Sequence, residues 1–170
     1  MNPRVAVAYV DCDRLGAREA RLVLEPAGPG IVVVEADLRD PGKVLADPAV
    51  RRVISPEQPA CVILGLVVHY MTAAQARAVV AGYVRLIAPG SCVVISTGRC
   101  DDPALFTRIQ AAYTPARLRN HSRAQVASFF AGLDLVPPGV KPAAGLRPGW
   151  GDAPKPPGPA YVLGGIGRRS

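Results

Sequence analysis

Two apolar runs near the C-terminus, Leu133-Asp134-Leu135-Val136 and Tyr161-Val162-Leu163-Gly164-Gly165-Ile166, decide the fold through what lies between them. Eight of the 23 residues from Pro137 to Pro159 are proline. A crossover helix that returns the chain to a parallel strand cannot form there, because each interior proline removes a backbone donor and clashes with the preceding turn. The two runs are therefore expected to pair antiparallel, joined by a long, exposed, semi-rigid Pro/Gly-rich loop over 137–159.

Upstream, strand-like and helix-like segments alternate, the pattern of βαβ units around a parallel sheet. The strand-like runs are Val5–Val10, Ile31–Val34, Cys61–Leu66 and Cys92–Ser96. The first is followed by a helical stretch with Leu15, Leu22 and Val23 roughly on one face. Asp40-Pro41 and Asp47-Pro48 each set an N-cap carboxylate before a proline at the first helical position, which predicts two short helices, 41–46 and 48–54. Thr72 caps a helix over 73–87, where Ala76, Val79, Val80, Tyr83, Val84 and Ile87 recur at helical spacing. Asp102-Pro103 opens another helix, and Ser122-x-x-Gln125 forms a capping box before a helix that Gly132 ends.

Composition bounds the function. The 170 residues are 49% hydrophobic but only 5% aromatic, so the core is aliphatic, as suits strands buried on both faces. One domain over 1–170 accommodates the whole sequence. The net charge of +7 comes mostly from scattered arginines that do not interleave with aromatics, so nucleic-acid binding is unsupported. The longest apolar run, Ala60–Met71, is too short to span a bilayer. Cys12, Cys61, Cys92 and Cys100 lack metal-finger spacing and read as buried or half-buried reduced thiols of a cytoplasmic protein. With His69 and His121 the only histidines, a His-based metal site is not expected.

In open α/β sheets a ligand binds beyond the carboxyl ends of the strands. Asp11 stands at the first such end, where a carboxylate either accepts both hydroxyl protons of a ribose or caps the next helix, a task that suits Asp13 better. Asp37, in Ala36-Asp37-Leu38-Arg39-Asp40, either accepts from an exocyclic adenine amine or forms a turn with its Arg neighbour. His69 follows the third run and is either a general base or a packed, hydrogen-bonded histidine. His121, between Arg119 and Arg123, reads as a surface residue. Gly164, Gly165 and Gly167 lie in a strand with no helix behind them, so they mark a glycine-tolerant edge or bulge rather than a phosphate loop.

The pair Val7-Ala8-Tyr9-Val10-Asp11-Cys12-Asp13 and Glu35-Ala36-Asp37-Leu38-Arg39-Asp40-Pro41 resembles an actinobacterial S-adenosyl methyltransferase family, once a domain of unknown function, with elements "V-Y-V-D-N-D-P" and "A-D-L-R-D-P". Leu45-Ala46-Asp47-Pro48, Ala88-Pro89-Gly90-Ser91, Phe129-Phe130-x-Gly132-Leu133 and Gly164-Gly165-Ile166-Gly167-Arg168 extend the resemblance from about Arg4 to Arg169. It implies a class I methyltransferase fold, Rossmann-like, with a mostly parallel sheet and a C-terminal antiparallel hairpin. It also implies S-adenosyl-L-methionine as cofactor and a small-molecule methyl acceptor. Asp11, with Cys12 beside it, would meet the ribose, Asp37 and the Leu38 backbone the adenine, and Val67 to His69 the methionine end.

The family pattern opens further upstream, with a strand ending in a glycine loop like "D-I-G-T-G" that lets the backbone approach the cofactor. This sequence enters at what would be the second strand, and Cys12 stands where the family tends to have Asn. The expectation is a fold lacking its first strand, from a truncated reading frame or a remnant, in which the second and fourth strands either pair directly or lose their shared neighbour. Such a chain would bind the cofactor weakly or not at all, and its open sheet edge would favour a homodimer. The competing readings are a non-catalytic interaction module and a nicotinamide-dependent oxidoreductase. The absent G-x-G-x-x-G and the terminal hairpin argue against the latter.

Overall fold

The computed structural model describes residues 5–113, 116–145 and 158–170. In chain order the elements are β1 (Val7–Asp11), α1 (Arg14–Leu24), β2 (Ile31–Glu35), α2 (Pro41–Ala46), α3 (Pro48–Val53), β3 (Cys61–Gly65), α4 (Ala73–Leu86), β4 (Cys92–Cys100), α5 (Pro103–Ala112), α6 (Arg123–Ser128), β5 (Asp134–Leu135), β6 (Lys141–Pro142) and β7 (Ala160–Arg168). The helices start where short polar side chains replace the missing intrahelical acceptors. Asp40, Asp47 and Asp102 each accept from backbone N–H groups just past their prolines. Thr72 with Gln75, and Ser122 with Gln125, form complete capping boxes.

The strands form two sheets. β1 and β2 pair in parallel, from Val7 opposite Ile31 to Asp11 opposite Glu35. The second sheet runs β3-β4-β7-β5, with β6 also on β7. β3 and β4 are parallel, whereas β4 and β7 are antiparallel over nine consecutive pairs, from Cys92 opposite Arg168 to Cys100 opposite Ala160. β5 also meets β7 antiparallel, so the prolines between them do enforce a reversal rather than a crossover. Among the described residues β1 and β3 do not pair, so the two sheets stay separate.

One face of the larger sheet carries the core. Leu64, Val93, Ile95 and Leu163 are buried together with Val79, Val80 and Tyr83 of α4, and with Val126, Phe129 and Phe130. Val10, Ala36 and Leu38 from the β1–β2 side pack against the same cluster. The opposite face is open at β3, where Ile63 is 68% exposed although its neighbour Leu64 is buried.

Several expectations need correction. β7 lies inside the sheet and its register with β4 is unbroken, so its glycines mark neither an edge nor a bulge. Gly165 and Gly167 are needed because Phe130 sits on the strand: a Cβ would lie 3.1 Å from Phe130 at Gly165 and 2.7 Å from Phe130 Cδ1 at Gly167. Leu15, Leu22 and Val23 of α1 are exposed, and Ala17 is the buried residue of that helix. The start of the proline-rich loop is not exposed throughout, since Val140 is buried and Lys141 and Pro142 pair with Gly164 and Leu163. The part of that loop over 146–157 lies outside the described residues. All four cysteines are free, but only Cys100 is buried and Cys92 half-buried, because Cys61 faces the open side of β3 and Cys12 a loop.

Candidate functional site

Asp11 is the last residue of β1, opposite Glu35 of β2, and Asp37 follows β2 by two residues. Asp11 is held by its surroundings. Its Oδ1 accepts from the Asp13 N–H at 2.9 Å, and its backbone carbonyl accepts from the Ala36 N–H at 3.0 Å. Its Oδ2 lies over the first turn of α1, where a Cβ on Gly16 would come within 2.9 Å of it. Gly16 is therefore what leaves room for this carboxylate. Asp13, not Asp11, caps α1, accepting from the Leu15 N–H at 3.1 Å. Cys12 is exposed.

Asp37 is engaged by Arg39. The guanidinium meets both carboxylate oxygens, at 2.9 Å through Nε and 2.6 Å through Nη2, and the Arg39 backbone N–H adds a third donor at 2.9 Å. These bonds hold the Asp37 carboxyl below its usual range. Leu38 tucks its side chain against the core cluster and so fixes the loop.

The third strand end is built differently. Leu66, directly after β3, has φ +54°, a left-handed conformation that is uncommon for a branched apolar residue and marks local strain. Its N–H is captured by the backbone carbonyl of Ser96, at 3.0 Å, and by the Ser96 hydroxyl, at 3.1 Å. Val67 packs against the core, and a single 3-10 turn over Val68–Tyr70 follows. His69 Nδ1 accepts weakly from the Gly98 N–H at 3.5 Å. Burial, helped by His121, lowers its pKa, so the ring is neutral near pH 7. With Nδ1 accepting, the ring proton sits on Nε2, and His69 is arranged to donate a hydrogen bond rather than to take a proton. The Tyr70 hydroxyl bonds that of Tyr113 at 2.7 Å, and chiefly this bond pushes it up to about 12.

The structure thus sets Asp11 and Cys12 at the end of β1 and Asp37 in the loop after β2, the strand paired with β1. It sets Val67 and His69 at a separate strand end, joined to the first group only through the shared core that Leu38 and Val67 contact. His121 corrects the surface reading: it is buried, and its Nε2 bonds the carbonyls of Val68 at 3.2 Å and Met71 at 3.1 Å. It holds the turn that carries His69. No local signal marks this, because its partners lie about fifty positions away. Leu66 and Ser96 were likewise unmarked. Among the described residues no cluster of His, Cys, Asp or Glu fit to hold a metal ion is present.

An α/β fold with parallel strand pairs and an antiparallel last strand is methyltransferase-like. Comparison with known proteins agrees. The chain belongs to the S-adenosyl methyltransferase family, whose model matches residues 1–170. A Thermobifida fusca protein assigned as a methyltransferase superposes with a TM-score of 0.83 at 31% identity, over 99% of this chain and 65% of its own. A DUF574 family protein from Streptomyces avermitilis superposes with a TM-score of 0.83 at 26% identity, over 99% of this chain and 67% of its own. The N-methyltransferase NodS from Bradyrhizobium japonicum, in complex with S-adenosyl-L-homocysteine, shares the fold at 14% identity and a TM-score of 0.59, over 96% of this chain and 66% of its own. The chain therefore spans about 65% of the length of the Thermobifida protein. Curated protein sequences give no match. The family and fold make S-adenosylmethionine the cofactor class, and the residues fit its nucleoside half: Gly16 keeps open the space that the Asp11 carboxylate occupies.

Proposed function

We propose that this chain carries the nucleoside-binding part of an S-adenosylmethionine-dependent methyltransferase acting on a small-molecule acceptor. The supporting observation is the placement of Asp11 at the end of β1, opposite Glu35, with Asp37 two residues past the end of β2, and with Asp13 taking over the capping role that would otherwise occupy Asp11. Asp11 would accept from the ribose hydroxyls, with Cys12 flanking them. Asp37 would accept from the adenine amine and Leu38 would present its backbone beside the ring. Val67 would line the methionine end, and His69 Nε2–H would donate to its carboxylate.

When bound, the cofactor supplies a methyl group on a cationic sulfur, open to attack in line by a nucleophile. Such transfer rests mainly on alignment and asks little acid–base work of the protein. The neutral His69 and the un-ionised Tyr70 agree with that.

Calorimetric titration with S-adenosylhomocysteine tests the assignment. Because this chain offers mainly nucleoside contacts, a Kd of about 0.1–1 mM is expected, weakened at least tenfold in Asp11→Asn. Equal binding by Asp11→Asn and the unsubstituted chain would remove Asp11 from the site. Micromolar binding would show that the described residues already form a full site.

A second reading, an interaction module, rests on a different observation. Neither β1 nor β3 pairs on its outer side among the described residues, and Ile63 is exposed on β3. A second copy adding its strand there would form a homodimer, and sedimentation velocity would show a dimer that Ile63→Lys abolishes. The shared core supports treating 1–170 as one domain. The four free thiols suit a cytoplasmic setting, and no helix among the described residues is long and apolar enough to cross a membrane.

A further inference from the structure

A cavity of about 380 Å³ opens between the start of α4, the α5 face carrying Phe106 and Gln110, and the segment 117–121. That volume lies within the range of small-ligand sites, about 300–1,000 Å³. Among the described residues its charged lining is Arg117 and Arg119, with no carboxylate. Arg119 Nε is buried and has no hydrogen-bond partner among the described residues. The nearest acids along the chain are Asp102, which accepts from the Ala104 and Leu105 N–H groups, and Asp134, which accepts from the Ser170 hydroxyl.

The wall that carries the arginines is held in place by backbone bonds. The Leu118 N–H donates to Gln110 Oε1 at 2.6 Å, and the Arg119 N–H donates to the His69 carbonyl at 2.7 Å. The Asn120 side chain bridges the N–H and carbonyl of Cys100, at 3.0 and 2.6 Å. His121 closes the wall onto the Val68–Met71 turn. Such fixing spares the ordering cost that usually weakens an arginine site. A buried guanidinium donor without an acceptor is costly, and a planar oxyanion satisfies it with charge-assisted, often bidentate bonds.

We infer that this cavity binds an oxyanion group, a carboxylate or a phosphate, of a small organic molecule. Phe106 supplies an apolar wall for the rest of that molecule, and the back of the arginine wall is the turn that presents His69 and Tyr70. If the methyl-transfer reading of the neighbouring site holds, on which this step alone rests, the methyl acceptor is an acidic small molecule.

Titration of the full chain with benzoate and, separately, with inorganic phosphate tests this by calorimetry and by the Arg Nε–H resonances in ¹H–¹⁵N spectra. Saturable binding with a Kd of about 1 mM is expected for at least one of them. Arg119→Gln and, independently, the more exposed Arg117→Gln should each weaken it at least tenfold, whereas Arg52→Gln, on α3, should leave it within about twofold. Binding of benzoate alone assigns an organic carboxylate, and binding of phosphate alone a phosphoryl group. No saturable binding of either anion, or binding unchanged in both Arg117→Gln and Arg119→Gln, overturns the inference. Asp11→Asn separates the two sites: loss of S-adenosylhomocysteine binding with anion binding intact is expected. Anion binding by a chain that takes no S-adenosylhomocysteine would keep this cavity and reject the methyltransferase assignment.

Discussion

Replacing Gly167 by alanine tests whether β7 is glycine-rich because Phe130 packs on it. The new Cβ would stand 2.7 Å from Phe130 Cδ1, 2.9 Å from Leu133 Cδ1 and 3.0 Å from Leu133 Cβ. Carbon atoms settle about 3.5–4.0 Å apart, so the ring must retreat by roughly 1 Å. Phe130 is 3% exposed and part of the main core, so it has little space to retreat into. Overpacking of this kind costs about 1–3 kcal/mol. In a domain of this size that lowers the melting temperature by about 2–12 °C.

Gly98 provides the contrast within the same sheet. A Cβ there meets nothing within 4 Å, so Gly98→Ala should stay within about 0.5 kcal/mol of the unsubstituted chain. Thermal and urea unfolding of both variants, with Phe130→Leu and the double substitution Gly167→Ala/Phe130→Leu, complete the measurement. The smaller side chain makes room, so the double variant should be more stable than the sum of the single losses by about 1 kcal/mol. If Gly167→Ala unfolds like Gly98→Ala, the packing account of the β7 glycines is wrong.

Other outcomes follow from the site. His121→Leu leaves the Val68 and Met71 carbonyls without their buried donor, which should cost about 2–4 kcal/mol in urea unfolding. His69 has a folded pKa below its ordinary 6.5, so its neutral form is the one the fold favours. The stability it contributes is present above about pH 6.5 and is lost as pH falls through the folded value. A pH series of melting temperatures should therefore drop less steeply below pH 6.5 in His69→Gln, and equal slopes would count against the burial of His69. Arg39→Gln removes the side-chain bonds that lower Asp37, so the Asp37 carboxyl should titrate closer to 3.8 by NMR while the melting temperature barely moves. An unshifted Asp37 would mean that the ion pair does not form in solution.

The elements were largely legible because each rests on local chemistry. Asp before Pro, Thr72 with Gln75, and Ser122 with Gln125 supply helix starts from neighbouring residues alone. The antiparallel closure was legible because proline content forbids the helix that a parallel return needs. What the sequence hid was long-range. The burial of His121 depends on carbonyls at Val68 and Met71, while its immediate neighbours are arginines. The strain at Leu66 follows from capture of its N–H by Ser96, and leucine itself has no preference for that conformation. Gly165 and Gly167 invited an edge or bulge reading because the aromatic ring that requires them comes from another element.

Asp37 shows how the two kinds of information combine. Its neighbourhood admitted either an adenine partner or a turn stabilised by arginine, and the structure makes the arginine contact real. Arg39 makes four contacts with the carboxylate, two on each oxygen: its backbone N–H and Nε meet Oδ1, and Nε and Nη2 meet Oδ2. The arginine orients the carboxylate and holds its pKa below the usual range. Asp11 has the same logic in simpler form: one oxygen is fixed by the Asp13 N–H, and the other lies over the glycine turn of α1, where no side chain covers it.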